Sequence, residues 1–211
     1  MNTKKNSTNN LDSLEDNKII NLVDSHPIEE YRDNIRNPGI DFRLDEISSI
    51  SINKSAVERR CSNYGTRRSI KKDKQAAWLL KAISLMDLTT LSGDDTEARV
   101  KRLCRKAKQP ISSNLEKQLG VQSLNLSVAA VCVYHDMLSA AKNIIKDTNI
   151  HLAAVSTGFP AGLSPLPLRL QEIQYSVDSG ANEIDIVISR RHVLDGNWEA
   201  LYEEVKFFRE K

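Results

Sequence analysis

Aromatic residues make up 5% of the 211 residues, cysteines number three, and no apolar run nears the roughly 20 residues that span a bilayer. Cys61, Cys104 and Cys132 stand apart, with no C-x-x-C spacing and no even count. That excludes a disulfide framework and points to a reducing compartment. The opening MNTKKNSTNN has positive charge but no apolar stretch behind it, as a secretory signal would need. A cytoplasmic protein with no membrane partner is expected. Net charge is +2, too small for long-range steering of a polyanion. Arg59, Arg60, Arg67, Arg68, Lys71, Lys72 and Lys74 do cluster, but only Tyr64 interleaves as an aromatic. Such runs are usually solvated helix faces, so no nucleic-acid partner is expected. No G-x-G-x-x-G follows an apolar strand, which weakens a dinucleotide-binding reading.

What is present divides the chain in three. Residues 1–38 are rich in Asn, Asp, Ser and Lys and sustain no apolar period, so they are read as a mobile N-terminal extension. Pro38-Gly39 punctuates the boundary. Residues 39–127 read as a helical region. Ala76, Ala77, Trp78, Leu79, Leu80 and Ile83 are apolar most of the way round a helix, which predicts a well-buried one. Ser92 and Asp95 resemble a capping box, opening a helix whose face is Val100, Leu103, Cys104 and Ala107. Acidic residues crowd its start, Lys106 and Lys108 its end, and Pro110 stops it.

From residue 128 the pattern becomes strand–helix alternation. Val128–Tyr134, Leu152–Ser156 and Glu183–Ser189 read as short buried strands. Helices follow them, the first capped by Asp136, the second carrying Leu166, Leu170, Ile173 and Val177 and ending at Gly180, the third entered at Gly196-Asn197. Three such units predict a parallel sheet, either doubly wound or part of a closed barrel. In the last strand Ile184, Ile186 and Ile188 share one face, and Glu183, Asp185, Val187 and Ser189 share the other. A carboxylate inside a short buried strand is costly unless paired or functional. A barrel with its site at the strands' C-terminal ends gives Asp185 a use. Residues 128–211 are too few for a whole eight-stranded barrel, which takes about 200 or more.

Several segments, in order, resemble deoxyribose-phosphate aldolases. They are Ser84-Leu-Met-Asp-Leu-Thr-Thr-Leu-Ser-Gly-Asp-Asp-Thr96, Ala129-Ala-Val-Cys-Val-Tyr134, Val155-Ser-Thr-Gly-Phe-Pro-Ala-Gly162 and Gly180-Ala-Asn-Glu-Ile-Asp-Ile-Val-Ile-Ser189. Gln75-Ala-Ala-Trp-Leu-Leu-Lys81 is similar to the longer, eukaryote-like branch. The resemblance implies a TIM (β/α)8 barrel family, here truncated to N-terminal helices plus the first three βα units. It implies reversible cleavage of 2-deoxy-D-ribose 5-phosphate to glyceraldehyde 3-phosphate and acetaldehyde through a lysine Schiff base, with no cofactor and no metal. The partner is then a small phosphorylated sugar, and a homo-oligomer is allowed.

By the same resemblance Asp185 is the proton-relay aspartate, and Asp87, Thr89, Leu91 and Cys132 line the substrate pocket. Cys132, on the strand face of Val128 and Ala130, also fits as a small core filler. Gly158 and Gly162 shape a loop. His135 stands where the family usually has proline, and reads as a solvent-exposed or capping residue. The family's Schiff-base lysine and its partner lysine occupy later motifs that do not occur here. Lys142, Lys146 and Lys206 fall on helices of the outer ring and do not substitute. The chain is therefore expected to be an incomplete record of an aldolase, inactive alone. The alternative is a non-catalytic half-barrel that binds a partner through open strand edges.

Overall fold

A computed structural model of the chain describes residues 19–20, 39–67 and 69–211. Before the sheet come α1 (Leu44–Ser48), α2 (Lys54–Ser62) and α3 (Lys72–Ser84). Strand β1 (Asp87–Thr89) is followed by α4 (Glu97–Lys108) and α5 (Ser113–Leu119). Then β2 (Ala130–Tyr134), α6 (Leu138–Ile145), β3 (His151–Val155), α7 (Leu166–Asp178) and β4 (Glu183–Asp185) alternate, and α8 (Arg190–Leu194) and α9 (Trp198–Glu210) follow. The four strands form one parallel sheet in the order β1-β2-β3-β4. Helical crossovers are what parallel neighbours require.

All three expected strands are present, and β1 is a fourth that lies inside the region read as helical. Three residues between a helix and a turn show no period of their own. Pairing places it: Leu88 stands in register with Val131, and Thr90 N–H donates to the Cys132 carbonyl at 3.1 Å. The last expected strand is shorter than its alternation suggested, pairing only over Glu183–Asp185. Beyond it the Val187 N–H turns to the Thr157 hydroxyl at 2.5 Å instead of to a neighbouring strand. The extension read over residues 1–38 lies outside the described residues, except Ile19 and Ile20. Those two are helical, and Ile19 packs beside Ala77, Leu80, Val121 and Leu126.

Side-chain alternation gives the sheet two unlike faces. The outer face presents Leu88, Val131, Val133, Leu152, Ala154 and Ile184 to Val100, Cys104 and Ala107 of α4 and to Leu138, Ala141 and Ile145 of α6. This is the main core, and each fully buried Val, Leu or Ile in it contributes about 1.5–3 kcal/mol. The inner face carries a smaller cluster of Cys132, Ala153 and Val155 with Leu91, Tyr134 and Phe159. Val128 was expected to share the Cys132 face but packs in the outer cluster. Its N–H donates to the Ala107 carbonyl at 3.1 Å, before strand pairing begins at Ala130, so the pleat does not extend back to it.

Helix α3 is buried on one side only. Ala77 and Leu80 are buried, while Trp78 and Leu79 are 65% and 59% exposed. A helix apolar all round does not reveal which side faces a core. The cap of α4 is Thr96, whose hydroxyl accepts from Arg99 N–H at 3.3 Å. Asp95 accepts instead from the Thr90 hydroxyl, the Ser92 N–H and Arg99, tying the β1 loop to the helix start. Asp136 caps nothing, because His135–Met137 form a 3-10 turn that runs directly into α6. In α7 the buried residues are Arg169, Ile173 and Ser176, and Val177 is exposed. The face is rotated because Arg169 pairs with the buried Glu204 of α9 at 2.7 Å. Gly180 ends α7 in left-handed backbone, φ +95°, as expected. Asn197 caps α9, its side-chain oxygen accepting from Ala200 N–H at 3.2 Å. Residues before α1 reach this last helix: the Tyr202 hydroxyl donates to the Ile40 carbonyl at 3.0 Å, and the Tyr202 and Phe42 rings lie 5.3 Å apart.

Candidate active site

The register of the sheet decides which side chains meet. Thr89, Cys132, Ala153 and Glu183 stand at one level, and Tyr134, Val155 and Asp185 at the level nearer the strands' C-terminal ends. Asp87, Ala130 and His151 form the level below. All of these belong to the inner face, because they alternate with the residues of the outer core. The small buried side chains Ala130, Cys132 and Ala153 lie between the carboxylate-bearing strands β1 and β4.

Of the residues proposed from sequence, Cys132 and Asp185 are in direct contact: the thiol donates to Asp185 Oδ2 at 3.2 Å. Burial pushes the Cys132 thiol up to about 12, and the Asp185 and Asp87 carboxylates add to the shift. Cys132 is thus a neutral hydrogen-bond donor, unlike an activated nucleophilic cysteine, whose pKa is lowered by cationic or helix N-terminal surroundings. Asp87 lies on β1, across the sheet from Asp185. Its carboxyl is raised above the ordinary aspartate value, by burial first and then by Glu183 and Asp185, with His151 opposing. A carboxyl raised by burial and by neighbouring carboxylates is a recurring way to hold a proton near a reacting centre. Leu91 packs against Cys132, Ala153 and Val155 and forms an apolar wall. Thr89 is exposed, level with Cys132.

Sequence reasoning placed Glu183 on the face of Asp185 but missed His151 and the pairing of the two. They pair at 2.5 Å at the strands' lower ends, where Glu183 and His151 act on Asp87 in opposite directions. Register was the missing information, since the two are 32 positions apart. Also missed was the fixing of the β3 loop. Thr157 is fully buried in left-handed backbone at φ +61°, and its hydroxyl donates to the Val187 carbonyl at 3.0 Å. Phe159 of the same loop lies edge-on to Tyr134, ring centres 6.1 Å apart, and packs on the inner-face cluster. Gly162 has a shaping role: a Cβ there would lie 2.9 Å from Val187 Cγ1, and its φ is +69°. His135 is half-buried, neither solvent-exposed nor capping, and stacks edge-on against Tyr175.

None of the four strands carries a lysine. Lys142 sits on α6 over Gly180, where an added Cβ would collide with its Nζ. Lys206 sits on α9 beside Glu203 at 3.9 Å. Both belong to the helix layer, as does Lys146 at the end of α6. Among the described residues no His, Cys, Asp and Glu cluster has metal-holding geometry.

No family model matches the chain. Among curated proteins, human deoxyribose-phosphate aldolase is 49% identical over 175 residues, 82% of this chain and 55% of the human one. The mouse protein of the same name is 50% identical over 173 residues, 81% of this chain and 54% of its own length. A crystal structure from Coccidioides immitis, provisionally named deoxyribose-phosphate aldolase, superposes with a TM-score of 0.51 at 19% identity, over 75% of this chain and 57% of that one. The last similarity concerns fold alone. The chain spans about half the length of the curated relatives it matches, and is homologous to their amino-terminal part.

Proposed function

We propose, from a chain related over four-fifths of its length to deoxyribose-phosphate aldolases, that this sheet is the amino-terminal part of a retro-aldol active site. The substrate is 2-deoxy-D-ribose 5-phosphate, cleaved to glyceraldehyde 3-phosphate and acetaldehyde. The observation that carries the reading is the meeting of Cys132 and Asp185 on the inner face, opposite Asp87. In the reaction a lysine amine condenses with the sugar carbonyl to form an iminium, which draws electrons as the carbon–carbon bond breaks. Asp185 relays protons at the substrate hydroxyl, with the Cys132 thiol fixing its carboxylate. Asp87, kept more readily protonated, stands on the far side of the same face. Thr89 and Leu91 line the pocket floor and wall. The amine must come from polypeptide beyond these four strands.

Asp185→Asn tests the assignment in a chain that carries out the cleavage. Retro-aldol turnover is expected to fall by about 10²- to 10⁴-fold, the usual contribution of a positioned acid–base group. Near-normal turnover would remove Asp185 from the proton relay. A half-barrel that binds a partner is the second reading, favoured by β1 and β4 each having one neighbour among the described residues. The intact mass of the protein from its source separates the two: a mass well above 23.7 kDa supports the aldolase, and one at that value supports the binding protein.

A further inference from the structure

We propose that Glu172 is a positioning residue: its carboxylate, reaching from α7, sets the β3 loop so that Phe159 covers the inner face beside Cys132. This rests on the aldolase reading only for the reaction it would serve. Glu172 lies on the helix that connects β3 to β4, and its Oε2 accepts the Gly158 N–H at 2.8 Å. Gly158 is in left-handed backbone, φ +77°, directly after Thr157 at φ +61°. Two successive left-handed residues turn the chain sharply off the end of β3. The turn is held from both sides. The Thr157 hydroxyl bonds both the N–H and the carbonyl of Val187 beyond β4, and Glu172 takes the next N–H on the α7 side.

The other carboxylate oxygen meets the preceding strand's loop. Glu172 Oε1 lies 3.8 Å from His135 Nδ1, with Glu172 21% and His135 32% exposed. That ring nitrogen is buried and has no hydrogen-bond partner among the described residues. Tyr175, one turn along α7, fixes the imidazole edge-on at 5.6 Å. One carboxylate thus joins the loops after β2 and β3, the two that carry Tyr134 and Phe159 to the rim of the site. Loss of the acceptor leaves Gly158 N–H without a partner and frees the turn. A displacement near 1 Å at a reacting site can cost about 10²-fold in rate.

The test compares Glu172→Met, which keeps side-chain length without an oxygen, with Glu172→Gln, which restores an acceptor. Amide hydrogen exchange at Gly158 and the proton–proton contact between the Phe159 and Tyr134 rings are read by NMR, with urea midpoints alongside. Glu172→Met should speed Gly158 exchange by about tenfold or more, the ratio expected for a lost hydrogen bond, and lose the ring contact. Glu172→Gln should restore both. Unchanged exchange and ring contact in Glu172→Met overturn the proposal, as does a Glu172→Gln variant that behaves like Glu172→Met. In the cleavage assay Glu172→Met should raise KM and Glu172→Gln should return it; an unchanged KM and kcat also overturn it. The cleavage assay uses a longer chain that also supplies the amine; if that wild-type chain does not cleave deoxyribose 5-phosphate, the proposed reaction fails instead, and the exchange and ring readouts on residues 1–211 then decide on Glu172 alone.

Discussion

Cys132 donates its thiol to Asp185 while its backbone carbonyl accepts from Thr90, so one residue touches both edges of the sheet's inner chemistry. Its raised pKa keeps it a thiol at neutral pH, and the side chain is shut away, as is that of Cys104. Only Cys61 is exposed. Alkylation of the native protein at pH 7.5 or so should therefore label Cys61 first, with Cys132 and Cys104 reacting after unfolding. Peptide mass mapping checks this, and rapid native labelling of Cys132 would contradict the buried donor. Asp185 drew attention as a carboxylate inside a strand read as buried, but β4 is only half-buried and Asp185 is exposed, because β4 has a single strand neighbour, β3, among the described residues. Its contact with Cys132 was not legible, because the two are 53 positions apart and only strand register brings them together. The same is true of His151 and Glu183.

Among the elements, α7 and α9 are joined by charge inside the helix layer. Arg169 and Glu204 are 7% and 6% exposed, and the Ser189 hydroxyl and N–H both donate to the same carboxylate, at 2.5 and 2.7 Å. Burial raises the Glu204 carboxyl, but Ser189 and Arg169 outweigh it and hold the group below the ordinary glutamate value of 4.5. A depressed folded pKa means stability that is present above that ordinary value and lost as pH falls through the carboxylate range. Glu204→Gln should flatten that acid-side loss in urea titrations run between neutral and acidic pH. Arg169→Leu strands a buried carboxylate and should cost about 3–5 kcal/mol by the same measurement. This pairing also explains the limits of pattern reading. Periodicity identified α4 by its apolar stripe, since Val100, Cys104 and Ala107 are all buried. In α7 it found the buried Ile173 but not Arg169 and Ser176, which are buried with it, and in α3 it did not show that Trp78 and Leu79 face outward despite their hydrophobicity.

For the molecule as a whole, the parallel sheet followed from alternation of strand and helix, the barrel family from the resemblance, and the strand count from neither. Asp87–Thr89 is too short to announce itself and exists because β2 offers it a partner. With no lysine on any strand, purified residues 1–211 should show no cleavage of deoxyribose 5-phosphate in a coupled assay for glyceraldehyde 3-phosphate. Measurable turnover by those residues alone would mean that an amine of the helix layer reaches the inner face, against the placement of Lys142 and Lys206. The order of the sheet has a further consequence. Strands β1 to β4 lie side by side in the order in which a ribosome makes them, each paired with the strand finished just before. At about 5–20 residues per second, each strand–helix unit emerges seconds after its predecessor and meets a ready template. The Tyr202–Ile40 bond must wait longest, because its donor is made 162 residues after its acceptor. Nascent chains arrested after Asp185 but before α9 has left the exit tunnel should then already protect the sheet amides, while the segment around Ile40 and Phe42 remains open to protease until α9 emerges.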